Sequence, residues 1–434
     1  MEVKRIFDLL DRYKAEFPHK SDALAGKAGK QWKTYSTEAY IEYANLVSYG
    51  LLALGLKKGD KIATICNNRP EWNFIDMGMA QLGIIHVPLF TTLDSNGYRE
   101  ILQHAEVNLI FISSSVLYKK IASFETELES LKSIYTLDEV EGARNWLEVV
   151  ETGRKEGERY QAEVEKIKNT ISDTDVATLI YTSGTTGKSK GVLLTHRNLI
   201  STAKVAAGVF QLQPGQRYLS ILPICHVGER MANYQTQYSG CSLYYTESLT
   251  TLGRDLQFVK PHGFGAVPRI LEKVYEKIIS KGRKLQGVKR KLFFWALGLA
   301  ERFELDGANG IWYSLQLAVA NKLIFSKWRD AMGGNVVAIG IGGAALQPRL
   351  ERIFWAAGIK LLNMYGLTET SPIITINRQS GPGLHLGTVG SLVKGVEVKI
   401  APDGEILCRG PNVMAGYYKD EEATRQAIDA DGWF

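Results

Sequence analysis

The chain has 434 residues, of which 45% are hydrophobic and 23% charged, and its net charge is +6 at pH 7. This composition is typical of a globular protein with more than one core, and the small basic excess gives no reason to expect nucleic-acid binding. Its four cysteines are widely separated without a C-x-x-C pair, which argues against a zinc knuckle and a disulfide scaffold.

The first eight residues carry acidic and basic side chains and have no apolar segment of the kind found in secretory signals. The longest charge-free apolar run beside aromatic residues covers residues 292–300, far short of the ~20 residues of a membrane span. We therefore expect a cytoplasmic protein with buried, reduced thiols.

Strand and helix patterns alternate over the first part of the chain. A helix that Ser36 or Thr37 can cap carries an apolar stripe and ends at Gly55, and a second helix at 70–81 begins on Pro70. Buried strands are predicted at 61–66, 84–89, 109–112 and 134–137. Such alternation predicts a parallel sheet with helices on both faces.

Residues 151–168 mix positive and negative charges without a clear apolar stripe. We expect a solvated connector there, between the alternating region and the stretch that follows.

A stretch rich in glycine and hydroxyl residues at 181–192 is central to the functional prediction, and it directly follows an apolar run at 176–180. Its glycines allow tight turns in which amide N–H groups can bind an anion, and its hydroxyls and lysines add donors and charge. We predict that it binds the phosphates of a nucleotide, through Thr182, Ser183, Gly184, Thr185, Thr186, Gly187, Lys188 and Lys190.

Two other interpretations of this stretch are weaker. The spacing G-x-x-x-x-G-K-[ST] is not met, because Thr182 stands where the first glycine is required, so a P-loop NTPase is disfavoured. A flexible linker is the simplest alternative, but strand-like runs on both sides argue against it.

A histidine follows the strand predicted at 218–222. Ligands of open α/β sheets bind outside the carboxyl ends of the strands, which is where His226 would lie. Taken alone, a histidine here is more often structural than functional. Glu229 and Arg230 come next and fit an ion pair at a helix start equally well.

Residues 277–300 contain seven cations and no acidic residue, and aromatic side chains follow the last cation directly. This pattern suits contact with an anionic membrane surface, while a solvated basic face beside an ordinary packed helix explains it equally well. With a further helical run at 311–328, residues 281–330 are predicted to form a helical insert between two strands.

A glycine-rich segment follows the strand predicted at 336–341. Its pattern Gly340-x-Gly342-x-x-Ala345 matches the dinucleotide-binding fingerprint. A nicotinamide enzyme would require an acidic residue at the end of the next strand, but the strand predicted at 359–364 contains neither Asp nor Glu. A dehydrogenase is therefore disfavoured.

Residue types suited to a nucleotide come at the end of that strand. Tyr365 offers an aromatic face for a purine, Gly366 permits close approach, Thr368 supplies a hydroxyl for a phosphate, and Glu369 supplies a carboxylate for Mg²⁺. An ordinary strand and turn with an N-cap threonine is the alternative.

Residues 372–434 are predicted to form short strands split by Gly, Pro and Asp. Gly416-Tyr417-Tyr418, within this segment, is expected to have a structural role.

Together these motifs resemble those of the adenylate-forming (AMP-binding) superfamily, which includes acyl-CoA synthetases, luciferases and peptide-synthetase adenylation domains. Residues 181–192 are similar to its phosphate-binding signature, and residues 365–369 to its Tyr-Gly-x-Thr-Glu motif. Gly342-Gly343-Ala344 resembles a segment that approaches adenine and the acyl group. Residues 222–230 resemble the form found in long-chain acyl-CoA synthetases, in which the histidine borders the acyl-carboxylate pocket.

The resemblance implies an α/β fold made of layered parallel-sheet subdomains with helices on both faces, plus a small C-terminal β-barrel-like piece. The expected subdomains cover about 1–170, 171–371 and 372–434. The final residues, 431–434, are similar to a segment that in the family leads into a ribose-binding aspartate and a small lid domain, neither of which the sequence contains. We expect this chain by itself to be weakly active or inactive.

The implied activity is ATP-dependent conversion of a long-chain fatty acid to acyl-AMP, followed by transfer to coenzyme A. Tyr365 is expected to contact adenine, Thr368 the α-phosphate and Glu369 the Mg²⁺ ion. Catalytic roles are expected for Thr185, Thr186, Lys190, His226, Thr368 and Glu369. A fatty-acyl-AMP ligase, an aryl-acid ligase and a non-catalytic acyl- or nucleotide-binding module remain alternatives.

Overall fold

Two largely parallel β-sheets with helices on their faces organise the chain, whose computed structural model describes residues 2–29, 31–183 and 189–434, with the exception of the Ser183 side chain. The strands are β1 (Leu24–Ala28), β2 (Gln31–Tyr35), β3 (Lys61–Ile65), β4 (Ile85–Leu89), β5 (Leu109–Ile112), β6 (Ser133–Thr136), β7 (Val176–Ser183), β8 (Ser189–Thr195), β9 (Arg217–Ser220), β10 (Ser242–Tyr245), β11 (Gly263–Ala266), β12 (Ala338–Ile341), β13 (Leu361–Tyr365), β14 (Thr375–Ile376), β15 (Ser391–Leu392), β16 (Glu397–Ile400), β17 (Ile406–Arg409) and β18 (Gly416–Tyr417).

The helices are α1 (Asp8–Glu16), α2 (Thr37–Ala53), α3 (Pro70–Gln81), α4 (Ser95–Ala105), α5 (Ser115–Ala122), α6 (Leu147–Asn169), α7 (His196–Phe210), α8 (Val227–Tyr238), α9 (Leu252–Val259), α10 (Pro268–Arg283), α11 (Gly287–Glu301), α12 (Ile311–Ala320), α13 (Ser326–Ala331), α14 (Pro348–Ala356) and α15 (Glu421–Ala427). A π-helical turn, Asn321–Phe325, joins α12 to α13. Within the described ranges, no helix combines the length and the apolar content needed to cross a bilayer.

The larger sheet has nine strands in the order β15-β14-β13-β12-β11-β9-β10-β1-β2, and its central strands from β13 to β1 pair in parallel. The smaller sheet has seven strands in the order β18-β8-β7-β4-β3-β5-β6, parallel from β7 to β6. Its inner strands are buried and mostly apolar because helices cover both faces. The predicted α/β class is confirmed.

Several predicted elements are confirmed with small shifts at their ends. The helix predicted at 70–81 is α3, with Pro70 in its first turn. Ser36 caps α2 by accepting a hydrogen bond from the N–H of Ala39. The helical insert predicted at 281–330 is formed by α11, α12, the π-helical turn and α13, between β11 and β12.

The solvated connector predicted at 151–168 is wrong, because these residues belong to α6. This helix packs along α2 at close range, and a Cβ on Gly153 would lie only 1.9 Å from the Leu46 carbonyl oxygen. The buried residues of α6 are Val149, Val150, Gly153 and Val164. Because Gly153 forms part of the α6 face that packs on α2, that face has too few apolar side chains to be recognised in the sequence.

The C-terminal segment is rich in short strands, as predicted, but these strands are divided among three sheets. β14 and β15 extend the larger sheet, β16 and β17 form a separate antiparallel pair, and β18 pairs with β8 at the edge of the smaller sheet. The boundary expected near residue 170 likewise does not separate the sheets, since β1 and β2 join the sheet of β9–β13.

A buried polar network joins α3 and α8 to the smaller sheet. Asp76 of α3 accepts hydrogen bonds from Arg230 (2.7 Å) and Tyr234 (2.6 Å) of α8. Arg230 also donates to the Thr178 hydroxyl of β7 at 2.6 Å, and Nδ1 of His86 lies 2.7 Å from Asp76. Each of these residues is at most 2% exposed. Arg230 therefore pairs with Asp76, and the Glu229–Arg230 ion pair that also fitted the sequence does not form among the described residues.

The network holds one buried ion pair with satisfied partners. Burial by itself would raise the pKa of Asp76, but Arg230, His86 and Tyr234 outweigh it and hold that pKa below its usual value. Burial and the charge of Arg230 lower the pKa of His86 to about 4, so its imidazole is neutral at pH 7. The neutral ring can donate to Asp76 from Nδ1 and accept from the Thr64 hydroxyl, 2.8 Å from Nε2.

We predict that Arg230→Met lowers the free energy of unfolding by about 3–5 kcal/mol, because it leaves the Asp76 carboxylate buried without its cation. Urea titration at pH 7 measures this loss. Adding Asp76→Asn should recover part of it, since the double variant buries no unpaired charge. Arg290→Met on the exposed surface of α11 should change stability by less than about 0.5 kcal/mol. A similarly small loss in the Arg230 variant would show that the pair is not needed.

Candidate active site

A cavity of about 500 Å³ lies at the carboxyl ends of β9, β11, β12 and β13, which are neighbours in the larger sheet. This is the edge at which open parallel sheets bind ligands. The structure brings together predicted residues from four distant stretches of the chain, since the cavity lining includes Thr182, His226, Gly342, Gly343, Tyr365, Gly366, Thr368 and Glu369.

Some predicted residues are placed elsewhere. Ala344 is exposed and stands outside this lining. Gly184, Thr185, Thr186, Gly187 and Lys188 lie outside the described residues, as does the side chain of Ser183, so their assignment to phosphate binding stays a prediction.

The strands that flank the predicted phosphate loop form an antiparallel hairpin. β7 and β8 pair as far as Ser183 and Ser189, which sets Thr182 opposite Lys190. Thr182 lines the 500 Å³ cavity, while Lys190 lines a neighbouring polar cavity of about 360 Å³. The hairpin of the smaller sheet thus reaches the ligand-binding edge of the larger one.

Glu369 is held by a residue for which sequence analysis predicts only a structural role. The hydroxyl of Tyr417 in β18 donates a hydrogen bond of 3.0 Å to Oε1 of Glu369. Burial and the nearby Glu369 charge raise the pKa of Tyr417, which keeps the phenol protonated as a donor. Lys190 Nζ lies 4.8 Å from the centroid of the Tyr417 ring, so this side chain connects the hairpin to the Glu369 loop.

The single carboxylate of Glu369 suits a Mg²⁺ ion that takes most of its ligands from substrate and water. It suits less well a metal ion whose ligands all come from protein side chains. Among the described residues, no group of three or more His, Cys, Asp or Glu side chains could hold a metal ion. Mg²⁺ commonly binds one or two carboxylates and completes its shell with substrate phosphates and water. Glu369, with Oε1 fixed by Tyr417, can supply such a carboxylate.

His226 presents an N–H group to the cavity. It is the N-cap residue of α8, and its Nδ1 accepts a hydrogen bond of 3.0 Å from the Gly228 N–H. The surrounding protein lowers the pKa of His226 by desolvation, although the ring is exposed to the cavity, so the imidazole is neutral at pH 7. With Nδ1 accepting, the proton resides on Nε2, which can donate to an oxygen of a bound ligand.

The glycine of the Tyr365 loop lines the cavity and also has a structural role. A Cβ on Gly366 would lie 1.9 Å from the Pro372 carbonyl oxygen, so the chain's own backbone requires a glycine there. Tyr365 itself is 38% exposed and keeps an aromatic face available to a ligand.

The dinucleotide fingerprint lacks its structural context. α14 begins at Pro348, three residues beyond Ala345, so the glycine turn does not open the helix. Without a helix N-terminus to hold a pyrophosphate at that turn, a dehydrogenase is further disfavoured.

A second, larger cavity of about 1050 Å³ adjoins the first. The two share Leu222, Pro223 and Val267 in their linings. The apolar walls come from α9, α10, α13 and adjacent loops, through Leu249, Leu252, Leu256, Ile270, Val274, Ile278, Trp328 and Met332. Cations that also line it are Arg269, Lys273, Lys277, Lys281 and Lys327. Sequence reasoning missed this cavity, because its walls come from helices that are adjacent only in space.

Glu229 is a buried acid in the wall of the first cavity, 1% exposed. Burial raises its pKa to about 8, although the nearby Ser220 and Tyr218 hydroxyls oppose that shift. The carboxyl group is therefore mostly protonated at neutral pH.

The family model described as "AMP-binding enzyme" matches residues 10–418. Long chain acyl-CoA synthetase 7, peroxisomal, of Arabidopsis thaliana is 32% identical to the chain, over 95% of this chain and 60% of its own length. The long-chain-fatty-acid–CoA ligase FadD15 of Mycobacterium bovis is also 32% identical, over 93% of this chain and 66% of its own length. The chain thus spans about three fifths to two thirds of the length of these relatives.

Solved structures share the fold. The inhibitor-bound N-terminal domain of FACL13 from Mycobacterium tuberculosis superposes with a TM-score of 0.74 at 21% identity, covering 99% of this chain and 94% of that one. A long-chain-fatty-acid–CoA ligase (FadD1) from Archaeoglobus fulgidus superposes with a TM-score of 0.76 at 17% identity, covering 99% and 80%.

We predict that Glu229→Gln stabilises the protein relative to wild type as the pH rises from 5 to 8. An unfolded glutamate ionises near pH 4.5 whereas the buried one keeps its proton to about pH 8, so wild type loses stability across this window. The gain at pH 8 should reach up to about 4 kcal/mol. Urea titrations at several pH values measure it, with the exposed Glu129→Gln as the control that should show a flat difference. A flat difference for Glu229→Gln as well would contradict the prediction.

Proposed function

The chain belongs to the AMP-binding enzyme family, and on this premise we propose that it activates a long-chain fatty acid with ATP and transfers the acyl group to coenzyme A. A carboxylate oxygen attacks the α-phosphorus of ATP, pyrophosphate leaves, and the acyl-adenylate forms. The thiol of coenzyme A then attacks the acyl carbon and releases AMP. The observation that carries the proposal is the junction at Leu222 and Pro223 between the cavity that holds His226, Thr368 and Glu369 and a larger apolar one.

The polar residues of the first cavity can stabilise charge without acting as a nucleophile. The Nε2–H of neutral His226 can donate to the acyl oxygen, and Thr368 can donate to the α-phosphate. Mg²⁺ on Glu369 would neutralise charge on the phosphates when bound. We assign Thr185, Thr186, Lys188 and Lys190 to the same phosphates. Fixed donors and charges of this kind account for large rate effects, because they need little reorganisation during the reaction.

The apolar cavity supports a long-chain acid as the substrate. An acid whose carboxylate lies near His226 can extend its tail past Leu222, Pro223 and Val267 into the 1050 Å³ space. Each methylene buried there would contribute about 0.8 kcal/mol. An aryl acid would leave this space unused. Both relatives described above carry long-chain acyl-CoA synthetase or ligase names, which favours the same substrate class.

We further propose a peripheral contact with an anionic membrane surface. Within the described part of the chain, none of the seven cations at 277–300 pairs with a carboxylate. In the same insert, α12 packs one side on α11, where Tyr313 donates to the Leu299 carbonyl oxygen at 2.7 Å. The other side of α12 is apolar and exposed, through Ile311, Trp312, Leu315 and Val319, and Leu323 of the π-helical turn is exposed as well. An exposed apolar helix face beside unpaired cations suits an anionic lipid headgroup region.

In the intact protein, Glu369→Ala and the double change Thr185→Ala/Thr186→Ala should each lower the rate of ATP–pyrophosphate exchange by about 10²–10³, since each removes a predicted contact to developing charge. Tyr417→Phe should lower it less, because Glu369 stays in place but loses one hydrogen bond. Thermal unfolding checks that each variant is folded. Exchange at the wild-type rate in the folded Glu369 variant would remove this residue from the site.

The specificity constant should rise from C8 to C16 acids as methylenes enter the apolar cavity, by up to about fourfold per methylene from 0.8 kcal/mol. Ile270→Trp at the cavity wall should move the optimum to shorter acids, while Val116→Trp on the exposed surface of α5 should leave the chain-length profile unchanged. A maximum at acetate or benzoate in the wild-type protein would contradict the long-chain substrate.

Cosedimentation with vesicles tests the membrane contact. More protein should bind to vesicles of anionic phosphatidylglycerol than to neutral phosphatidylcholine, and binding should fall as salt screens the cations. Trp312→Gln/Leu315→Gln should weaken binding to the anionic vesicles, whereas Val116→Gln, an equally exposed apolar position on α5, should not. Equal binding to both vesicle types would contradict the membrane contact and would show that the seven cations form an ordinary solvated face.

A further inference from the structure

The β7–β8 hairpin makes contacts on its outer face that the chemistry described above does not use. Successive side chains of a strand point to opposite faces, so Tyr181 points away from the face on which Thr182 lines the first cavity. The Tyr181 hydroxyl and Nδ1 of His104, in the last turn of α4, form a hydrogen bond of 2.7 Å. Their rings also meet edge to face, with centroids 5.8 Å apart. The hairpin is therefore bonded to α4 one residue before Thr182.

The strand partner of Tyr181 contributes no side chain to this face. That partner is Gly191 of β8. A Cβ on Gly191 would lie 3.4 Å from the Tyr181 ring and 3.3 Å from the Tyr418 side chain, so both tyrosines pack over the glycine. The Tyr418 ring also meets His104 edge to face, with centroids 5.5 Å apart. His104 thus contacts both aromatic side chains that cover the hairpin.

The end of α4 is itself bonded to the segment that follows β18. Lys419 Nζ donates to the His104 carbonyl oxygen at 3.1 Å and pairs with the Glu106 carboxylate at 2.8 Å. The Tyr418 hydroxyl donates to the same carboxylate at 3.2 Å. An exposed contact of this kind stabilises little by itself, but these three act on one turn of the chain. They hold the helix end in place beside the hairpin.

We propose that His104 is a positioning residue for ATP, because it fixes the β7–β8 hairpin through Tyr181. The hairpin places Thr182 in the wall of the first cavity and Lys190 beside the Tyr417 ring. Thr182 and Lys190 are both predicted to bind the phosphates, so the orientation of the hairpin sets how well they meet the nucleotide. His104 acts through Tyr181 rather than by contact with ATP. This inference rests on the proposed ATP-dependent function and deepens it, since it names what sets the affinity for ATP.

Loss of the hydrogen bond should weaken ATP binding without changing the chemical step. When a hairpin spends only a fraction of its time in the binding orientation, the apparent Kd rises by the inverse of that fraction. In the intact protein, His104→Ala should raise the Kd for MgATP and the KM for ATP by about fivefold, the effect of one net hydrogen bond. The kcat of ATP–pyrophosphate exchange and the KM for the acid should change by less than about twofold. Simple destabilisation would instead reduce the folded fraction, which lowers kcat and leaves the KM for ATP unchanged.

Matched variants test whether the hydrogen bond is responsible. His104→Asn places a polar amide near the Nδ1 position, so it should restore most of the affinity for MgATP. Tyr181→Phe removes only the hydroxyl and should raise the Kd as much as His104→Ala does. The double variant should bind no more weakly than either single variant, because both changes remove the same bond. Gln103→Ala, at an exposed position on the same helix, should bind MgATP as the wild type does.

The positioning role is overturned by an unchanged Kd for MgATP in folded Tyr181→Phe, which decides the matter even if His104→Ala does not fold. It is also overturned if the effects of the two single changes add fully in the double variant. Failure of the proposed function alone gives a different pattern, in which the wild type binds MgATP and the variants bind it more weakly, yet no acid supports ATP–pyrophosphate exchange. Absence of MgATP binding by the wild type would contradict both.

Discussion

The ion pair between Arg230 and Asp76 is the contact on which the placement of the site depends. Arg230 belongs to the helix that His226 caps, and its guanidinium reaches Asp76 on α3 and Thr178 on β7. The same helix contacts β9 and β10 of the larger sheet. A buried charge pair tolerates little displacement, because its desolvation cost is offset only at good geometry. The pair therefore fixes α8, and with it the N–H that His226 turns toward the cavity.

Consecutive residues of α8 contact different sheets, because successive side chains on a helix point about 100° apart. Arg230 turns toward the smaller sheet, whereas Glu229 turns toward Tyr218 and Gly265 of the larger one. A second connection between the sheets runs through β18, which pairs with β8 and carries the Tyr417 hydroxyl to Glu369. The cavity is thus built by both sheets: one supplies the carboxyl ends of its strands, and the other supplies the hairpin and the tyrosine.

Local pattern was sufficient for much of the fold and for part of the site. Apolar runs and Pro70 predicted the strands and α3, and the residues around His226 and Glu369 were placed at strand ends that do line one cavity. Contacts between distant segments were not predictable in this way. Asp76 and Arg230 are 154 residues apart, and Tyr417 and Glu369 are 48 apart. Nothing in either local sequence specifies its partner, because pairing follows from sheet order and register.

Several close packing contacts that sequence analysis missed have a common cause in glycine. Glycine carries no side chain for a hydrophobic pattern to register, yet it determines the closest approaches in this fold. Gly153 allows α6 to pack on α2, Gly366 allows the backbone to pass Pro372, and Gly265 allows β11 to lie close to Glu229. At Gly153 and Gly366 other backbone atoms occupy the position that a Cβ would take, so both glycines are required by the packing. Beside Gly265 the close neighbours are side-chain atoms, because a Cβ there would lie 3.1 Å from both the Glu229 carboxyl and the Tyr218 hydroxyl. A hydrophobic pattern cannot predict contacts of either kind, because the residue that permits them contributes no apolar side chain.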